Sequence, residues 1–204
     1  MIAIVNYGMG NTGSIFNMLK KIGAEACITD NPDIIVKADK IILPGVGTFS
    51  NGMSNLQDKQ LDIAIKEAVI EQKTPLLGIC LGMQLLGESS EEGEGKGLCL
   101  IPFINKKFVF EDSSNLKIPH MGWDIVRFEK EDLLLKGLEG EQRYYFVHSY
   151  YAHCFNKENV LMTCDYGFAF SAAVHKENIY GVQFHPEKSH KFGMKLLENF
   201  ARRI

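Results

Sequence analysis

Several features that mark large classes of protein are absent from this sequence of 204 residues. Basic residues are not in excess, because 22 Lys and Arg stand against 25 Asp and Glu. They form no basic stripe, which argues against nucleic acid as a partner. The apolar start, residues 1–5, has no basic segment before it and is too short for a signal peptide or a membrane span. We therefore expect neither a nucleic-acid partner nor a membrane partner.

Metal, disulfide and phosphate-binding motifs are also missing. The cysteines form an odd set of five without CxxC spacing, which is typical of a reducing compartment and predicts a cytoplasmic protein. The histidines include no HExxH pair, so no metal is predicted. The glycine-rich residues 93–97 lack the spacing and the Ser/Thr of a P-loop, and residues 88–97 are predicted to be a surface loop. No cofactor is predicted.

Apolar periodicity predicts an α/β protein with one domain, residues 1–204. In the first half, β-rich runs at residues 2–5, 24–29, 40–43 and 76–79 alternate with helical patterns at 12–22 and 61–71. This alternation predicts a parallel sheet built from βαβ units. The second half is mostly strands and turns, and a closing helix is predicted over residues 191–202. The clearest strands there are residues 108–110, 125–128, 144–148, 160–163 and 172–175.

Cys80 lies in a pattern that is typical of a nucleophile elbow. An apolar strand runs into Gly78-Ile79-Cys80-Leu81-Gly82, and a helix is expected to follow. The two glycines permit a sharp turn that leaves only the nucleophile projecting. The turn also places Cys80 at a helix N-terminus, where free N–H groups and the helix dipole favour a thiolate. An inert buried cysteine is the commoner fate of a single Cys, but the flanking glycines disfavour it.

A partner for this thiol lies 105 residues later (185 − 80), in Gly181-Val182-Gln183-Phe184-His185-Pro186-Glu187. An apolar strand delivers His185, and Pro186 favours extended backbone before it. His185 and Glu187 then point to the same side, so the carboxylate can hold the imidazole. We interpret Cys80, His185 and Glu187 as a catalytic triad. Without Cys80, a solvated turn would be the preferred interpretation of His-Pro-Glu.

With these two motifs the sequence resembles the class I glutamine amidotransferases. Four other segments narrow the resemblance to the HisH family, the glutaminase subunits of imidazole glycerol phosphate synthase. These segments are Asn6-Tyr7-Gly8-Met9-Gly10-Asn11, Pro44-Gly45-Val46-Gly47, Pro119-His120-Met121-Gly122-Trp123 and Phe146-Val147-His148-Ser149-Tyr150. The resemblance covers the whole chain. It implies a flavodoxin-like fold with a mostly parallel central sheet, flanking helices and additional β-strands in the second half.

The resemblance also implies a reaction and a partner. The Cys80 thiolate would attack the side-chain amide of L-glutamine, and water would hydrolyse the glutamyl thioester, which yields glutamate and ammonia. A (β/α)₈-barrel cyclase subunit would take the ammonia and make imidazole glycerol phosphate and AICAR in histidine biosynthesis. The chain would therefore work in a heterodimer.

Further site residues follow from the elbow and from the resemblance. The N–H of Leu81 is the natural first oxyanion donor, and Val46 or Gly47 is expected to supply the second. Trp123, Tyr145 and Lys188 match positions expected at the interface with the barrel subunit. The residues implied in glutamine binding are Gly45, Gly82, Gln84, His148, Ser149 and Tyr150. For the last three, a core strand with polar neighbours is an equal alternative.

Other interpretations stay open at this point. Gly8-Met9-Gly10-Asn11-Thr12-Gly13, with Asp30 after the next strand, fits the dinucleotide fingerprint, although a lone GxGxxG is a weak signal. Asp124 stands where the family usually has asparagine, and Cys99 and Phe103 where glycines are common. A paralogue that supplies ammonia to a surface-sugar pathway would look similar. The non-enzyme alternative is a regulatory binding subunit with a relict site.

Overall fold

The structure is a computed structural model that describes residues 1–111 and 115–204. Over these residues, the strands are β1 (Ile2–Val5), β2 (Ala26–Thr29), β3 (Lys40–Leu43), β4 (Leu76–Ile79), β5 (Ser89–Ser90), β6 (Phe103–Lys107), β7 (His120–Phe128), β8 (Gln142–His148), β9 (Tyr150–Cys154), β10 (Val160–Asp165), β11 (Ala169–Lys176) and β12 (Ile179–Val182). The α-helices are α1 (Thr12–Lys21), α2 (Pro32–Val36), α3 (Phe49–Asp58), α4 (Leu61–Lys66), α5 (Leu81–Gln84) and α6 (His190–Arg203). A π-helical turn, Glu67–Glu71, continues α4. Within the described ranges, no helix has the length and apolarity to cross a bilayer.

The strands join in one sheet whose main order is β2-β1-β3-β4-β12-β11-β10-β7-β8. The first five of these run parallel, and the order continues antiparallel from β11. A branch made of β5, β6 and β9 joins the sheet where β9 pairs with β11. The predicted α/β class with additional strands in the second half is confirmed, but the sheet is mixed: its first five strands are parallel and the others along this order are antiparallel. A single domain over residues 1–204 stays a prediction.

The parallel strands are apolar on both faces because helices cover both sides of the sheet. In β1, Ile2 and Ile4 pack on one side and Ala3 and Val5 on the other, and all four are buried. Helices α1 and α6 cover the first side, through Ile15, Leu19, Leu196, Leu197 and Phe200. Helices α2 to α4 cover the second, through Ile35, Phe49, Leu56 and Ile65.

The register of two neighbouring strands positions the site. Strands β4 and β12 are parallel, with Ile79 opposite Val182. Because the chain direction is the same, the segments that carry Cys80 and His185 leave the sheet at the same edge. The elbow and the His-Pro-Glu segment are therefore adjacent in space despite their separation in sequence.

Some predicted elements were wrong. Residues 108–110 form no strand. The strand precedes them as β6, where buried Asn105 donates to the carbonyls of Gln84 and Ser89. That hydrogen-bonded polar residue interrupts the apolar pattern of β6. Helices α2 and α3 and strand β9 were missed, and β7 begins at His120 rather than at residue 125. The predicted surface loop at residues 88–97 contains β5 and buries Ser90 and Gly97.

Candidate active site

The segment around Cys80 has the geometry of a nucleophile elbow. Cys80 follows β4, precedes α5 and has φ 54° and ψ −111°, a backbone conformation that non-glycine residues rarely adopt. A Cβ added at Gly82 would collide with the carbonyl of Leu43, and one at Gly78 would lie 2.7 Å from the Gly82 carbonyl oxygen. Only glycine fits at either position. The strained backbone at Cys80 is typical of a functional residue.

His185 and Glu187 form a buried pair beside this elbow. Nδ1 of His185 lies 2.8 Å from Oε1 of Glu187, and each side chain is only 2% exposed. His185 is extended, as predicted, but the following residues turn as a 3₁₀ helix (Pro186–Lys188), which brings the carboxylate back to the ring. Nε2 of His185 is buried and has no hydrogen-bond partner among the described residues. This nitrogen remains available for Cys80, which lines the same cavity.

The charges of the pair favour an imidazolium. Burial by itself lowers the pKa of His185, but interactions with Cys80 and Glu187 outweigh it and raise the pKa to about 10. A positive His185 stabilises a neighbouring thiolate, which is the reactive form of cysteine. The arrangement therefore places an imidazolium beside the sulfur that is to act as nucleophile.

The turn at residues 44–47 lies directly against the elbow. A Cβ added at Gly45 would lie 2.8 Å from the Gly82 nitrogen, so the two backbones are in close contact. The hydroxyl of buried Tyr7 donates to the Pro44 carbonyl at 2.7 Å. Burial, and then the charge of Cys80, raises the pKa of Tyr7 well above its usual value, so the hydroxyl stays protonated. At the far end of the turn, Gly47 takes φ 128°, which favours glycine.

A cavity of about 260 Å³ opens over Cys80. Nine of the residues singled out from the sequence line it: Val46, Gly47, Cys80, Leu81, Gln84, His148, Ser149, Tyr150 and His185. Of the predicted catalytic, oxyanion and glutamine-binding residues, three do not line it: Gly45 and Gly82 form the packed backbone beneath, and Glu187 contacts His185. A cavity of about 690 Å³ lies elsewhere, at Phe128 to Leu138, and contains none of the predicted site residues. Chemistry rather than size identifies the site.

Three lining residues were missed from the sequence: Glu92, Pro119 and Val147. Glu92 comes from the segment predicted as a surface loop. One of its carboxylate oxygens accepts from the Phe49 N–H at 2.7 Å, at the start of α3. Thr48, at the cap position of that helix, makes no side-chain cap. In the sequence, Glu92 looked like one of several solvated acidic residues, so no local signal could have selected it.

Hydrogen bonds connect the cavity wall to the nucleophile. The Gln84 amide donates to the Tyr150 carbonyl and to Oε1 of Gln183, both at 3.1 Å. The Gln183 amide nitrogen lies 3.8 Å from the Cys80 sulfur. His148 is 6% exposed, and its Nδ1 lies 2.8 Å from the same Tyr150 carbonyl. In the segment at residues 148–150, His148 is buried and Ser149 and Tyr150 are partly buried, and all three residues line the cavity; their part in glutamine binding stays a prediction.

One group of side chains has the composition of a metal site. A nitrogen of His120, a carboxylate oxygen of Asp124 and the sulfur of Cys164 lie within 4.8 Å of one another. Burial, followed by the charges of Asp124 and Asp165, raises the pKa of the Cys164 thiol. A protonated thiol donates a hydrogen bond to the carboxylate rather than binding a cation. We assign no metal to this group, and the absence of a metal stays a prediction.

The predicted interface residues lie together on the surface beside the site. Trp123 is 44% exposed, and its ring centroid lies 6.4 Å from that of Tyr145. The Lys188 ammonium lies 5.5 Å from the Tyr145 ring centroid. His190, which the sequence did not indicate, stacks on Trp123 at 5.6 Å. An exposed aromatic cluster of this kind is typical of interaction surfaces.

The segment that resembles a dinucleotide fingerprint has a structural role. Gly10 takes φ 99°, and a Cβ added there would lie 3.0 Å from the Gly45 nitrogen. Asn11 caps α1 by accepting from the Ser14 N–H, and Asp30 pairs with Lys59 at 2.8 Å. Gly10 therefore packs against the turn at residues 44–47, and Asn11 and Asp30 have structural partners of their own, which argues against a nucleotide site.

Parallel strands that end at a cysteine on a strained elbow, beside a buried His-Glu pair, define a cysteine hydrolase. A family model described as "Glutamine amidotransferase class-I" matches residues 3–204. Solved structures agree on the fold. A "Crystal structure of glutamine amidotransferase" has TM-score 0.75 at 16% identity and covers 98% of this chain and 96% of that one. The glutaminase domain of Trypanosoma brucei CTPS with bound acivicin has TM-score 0.63 at 16% identity and covers 100% and 94%.

Curated relatives narrow the class. "Imidazole glycerol phosphate synthase subunit HisH 2" of Methanococcus maripaludis is 58% identical over 203 residues, 99% of each chain. The protein of the same name in Pseudomonas aeruginosa is 45% identical over 204 residues, 100% of each. "Imidazole glycerol phosphate synthase subunit HisH 1" of Campylobacter jejuni is 48% identical over 204 residues, 99% of this chain and 100% of that protein. The chain therefore belongs to the class I glutamine amidotransferases and, within them, to the HisH family.

Proposed function

We propose that this chain is the glutaminase subunit of an imidazole glycerol phosphate synthase. It hydrolyses L-glutamine to glutamate and ammonia, and a (β/α)₈-barrel cyclase subunit uses the ammonia in histidine biosynthesis. The names of the three relatives support the pathway. The observation that carries the activity is the Cys80 elbow beside the buried His185–Glu187 pair, within one small cavity.

Each member of the triad has a distinct role. The Cys80 thiolate attacks the amide carbon of glutamine, and His185 gives its proton to the departing ammonia. A water then loses a proton to His185, attacks the thioester and releases glutamate, and the proton returns to the Cys80 sulfur. Glu187 fixes the tautomer of His185 and stabilises the imidazolium. Atoms and charge balance without a cofactor.

The oxyanion that forms during attack needs two N–H donors. Leu81 begins α5, and the first N–H groups of a helix have no acceptor within it. The second donor comes from Val46 or Gly47, both of which line the cavity. Tight contact between Gly45 and Gly82 keeps the two donor segments together.

Glutamine also presents an ammonium and a carboxylate at its other end. Glu92 lines the cavity, and the Phe49 N–H occupies only one of its carboxylate oxygens, so the carboxylate can also pair with the ammonium. Ser149 and Tyr150 provide polar groups from the facing wall, and His148 and Gln84 hold that wall in place. Gly45 and Gly82 contribute backbone that no side chain obstructs.

Replacement of the nucleophile tests the activity. Cys80→Ser should abolish synthesis from glutamine by the assembled complex but spare synthesis from added ammonium salts, because only ammonia production uses the thiol. Cys99→Ser is a matched control, since Cys99 is an exposed free cysteine and does not line the cavity. Glutamine hydrolysis at near the original rate in the Cys80 variant would exclude the triad assignment.

The partner surface includes Trp123, Tyr145 and Lys188, and the oxyanion turn couples the partner to the chemistry. We expect the turn at residues 44–47 in the free chain to lack an N–H that points at the oxyanion, and to supply one by a change of peptide direction when the barrel subunit holds its own ligand. One missing oxyanion donor lowers the rate by about 10²–10³-fold, enough to suppress wasteful hydrolysis. Turnover at saturating glutamine is compared in the free chain, the complex, and the complex with an analogue of the barrel's substrate. Equal rates in all three would identify a free-standing glutaminase.

The cytoplasmic location stays a prediction that fractionation can test.

A second candidate is a paralogue that donates ammonia in another pathway. The relatives carry numbered names, HisH 2 and HisH 1, which favours keeping it. Three residues also differ from those that the family resemblance leads us to expect. Phe103 lies in the core, and Cys99 takes φ 56°, where glycine is easier. Asp124 contacts His120 beside the predicted interface. Growth of a histidine auxotroph that lacks its own HisH separates the two pathways. A regulatory subunit without activity is excluded if a glutamine-mimicking electrophile labels Cys80.

A further inference from the structure

A row of hydrogen-bonding groups runs from the cavity wall into the protein. It begins at the Tyr150 carbonyl, which lies 2.8 Å from Nδ1 of His148. Nε2 of His148 lies 3.0 Å from Nδ1 of His120, and Nε2 of His120 lies 3.3 Å from Oδ2 of Asp124. Both rings are buried, and the Asp124 side chain is 33% exposed. His148 lines the cavity, whereas His120 and Asp124 do not.

A count of protons shows that this row is unusual. It contains three contacts and ends in an acceptor at both sides, a carbonyl and a carboxylate. Each contact needs one hydrogen, but two neutral imidazoles carry only two N–H groups between them. Either one contact is repulsive or the row holds a third proton. All three contacts have hydrogen-bonding distances, so the geometry points to the third proton.

We propose that Asp124 and His120 are positioning residues for glutamine hydrolysis. His120 carries the third proton towards Asp124, donates its Nδ1–H to His148, and thereby keeps the Nδ1–H of His148 on the Tyr150 carbonyl. This proposal rests on the proposed glutaminase function, because its effect on activity is exerted on the wall of the glutamine cavity.

The fixed carbonyl has a second connection that reaches the nucleophile. Tyr150 also accepts from the Gln84 amide, which donates in turn to Gln183. The Gln183 amide faces the Cys80 sulfur at 3.8 Å. If His148 releases the carbonyl, the Tyr150 peptide and the Gln84 amide can both reorient. The KM for glutamine should therefore rise more than kcat falls, since the triad itself is not part of the row.

The surroundings of the rings decide where the third proton lies. His120 faces His148 from β8, Cys164 from β10 and the Tyr166 ring, which stacks on it at 4.0 Å. Asp165 follows Cys164, and the charge of His185 acts on His148. Burial lowers the pKa of His148 to about 3, so this ring stays neutral. Burial also lowers the pKa of His120, while Asp124 opposes the shift. His120 is therefore protonated on the acidic side and loses the third proton as pH rises through its pKa.

Substitution of Asp124 distinguishes the effect of the third proton from the effect of the hydrogen bond between residues 120 and 124. In Asp124→Asn the side-chain amide supplies the third N–H, so two neutral rings complete the row at every pH. We compare the KM for glutamine of the wild-type chain with that of the Asn variant at each pH. The ratio of wild type to variant should be about two- to tenfold higher at alkaline than at acidic pH, because the wild-type row loses one hydrogen bond when the third proton leaves. Asp124→Leu should have a raised KM throughout. These assays use the chain in complex with its barrel subunit.

Asp132→Asn provides the control, because Asp132 is also a carboxylate close to a histidine, 3.2 Å from Nδ1 of His175, but does not line the cavity. It should follow the wild-type pH profile. Two results would overturn the proposal: an Asn variant whose KM parallels that of the wild type at every pH, or a Leu variant as good as the Asn variant.

Nitrogen NMR of the imidazole rings tests the proton count without any turnover. In the Cys80→Ser chain, His120 should carry two ring protons at low pH and one at high pH, while His148 keeps its proton on Nδ1 until the third proton is lost. Rings that both stay neutral throughout would overturn the proposal. If the rings titrate as expected but the wild-type chain hydrolyses no glutamine, the proposed function fails and the positioning role fails with it, while the third proton in the row stands.

Discussion

The Tyr7 hydroxyl donates a hydrogen bond to the Pro44 carbonyl at 2.7 Å, directly beneath the turn that should supply an oxyanion donor. Tyr7 was part of a motif in the sequence, but only the structure shows what its hydroxyl contacts. Because Tyr7 is 1% exposed, the Pro44 carbonyl depends on this donor. Tyr7 therefore anchors the first peptide of the oxyanion turn.

We expect Tyr7→Phe to loosen that turn without disturbing the triad. A carbonyl left without its buried donor costs about 1–3 kcal/mol of stability. The kcat for glutamine should fall by about tenfold, less than the 10²–10³ of a fully lost oxyanion donor. Tyr144→Phe is the matched control, since its buried hydroxyl has no partner among the described residues. Denaturation curves and steady-state kinetics measure both effects, and an unchanged kcat in Tyr7→Phe would remove Tyr7 from the oxyanion turn.

Glu187→Gln should uncouple His185 from its carboxylate. The pKa of His185, raised to about 10 by Cys80 and Glu187, should fall because one of the two stabilising charges is gone. By analogy with other triads, kcat should fall by roughly 10²–10⁴-fold. Proton NMR of His185 and glutamine turnover are the measurements. Glu177→Gln, which breaks a surface pair with Lys73, should change neither quantity.

Among substitutions that add one methyl group to the elbow, Gly82→Ala should reduce the stability of the fold most. The new Cβ would collide with the Leu43 carbonyl, a backbone atom in a central strand that cannot move aside. We expect a loss of about 3 kcal/mol or more, visible as a lowered midpoint in urea or as insoluble protein. Gly13→Ala, in α1 with open space around the position, should be neutral or stabilising by up to about 1 kcal/mol. Equal stability of the two variants would contradict the packing seen at the elbow.

His148 should make the folded state sensitive to acid. Burial lowers its pKa from 6.5 to about 3, so between these values the unfolded chain binds the proton and the folded chain does not. The stability from this group is complete above pH 6.5 and is lost as pH falls towards 3, by about 1.4 kcal/mol per pH unit. His148→Gln should remove that slope. Denaturation at several acidic pH values measures it, and parallel slopes in both proteins would mean that His148 titrates normally.

The sequence predicted best what is local. The elbow and the His-Pro-Glu segment are short patterns whose residue types support one another, and the parallel strands have uninterrupted apolar runs. Strand β6 was misplaced because its buried Asn105 is satisfied by two carbonyls from distant segments, which no local pattern records.

The missed parts of the site depend on register between distant strands. His120 reaches His148 only because these two residues are direct partners across β7 and β8. Glu92 enters the cavity because it meets the N-terminus of α3, 43 residues away. Neither contact leaves a periodic pattern of residue types in the sequence from which it could be predicted. The residues around a triad are thus harder to predict than the triad itself.

The pairing of β4 with β12 also has a consequence for how the protein is made. Residues 79 and 182 are neighbours across that pair, so 103 residues (182 − 79) must be synthesised and looped back before Cys80 meets His185. Closing a loop of this length costs chain entropy and slows folding. On the ribosome, Cys80 emerges long before its base exists. A nascent or truncated chain therefore carries an elbow cysteine without its imidazolium, and full reactivity arrives only with the segment that contains His185 and Glu187.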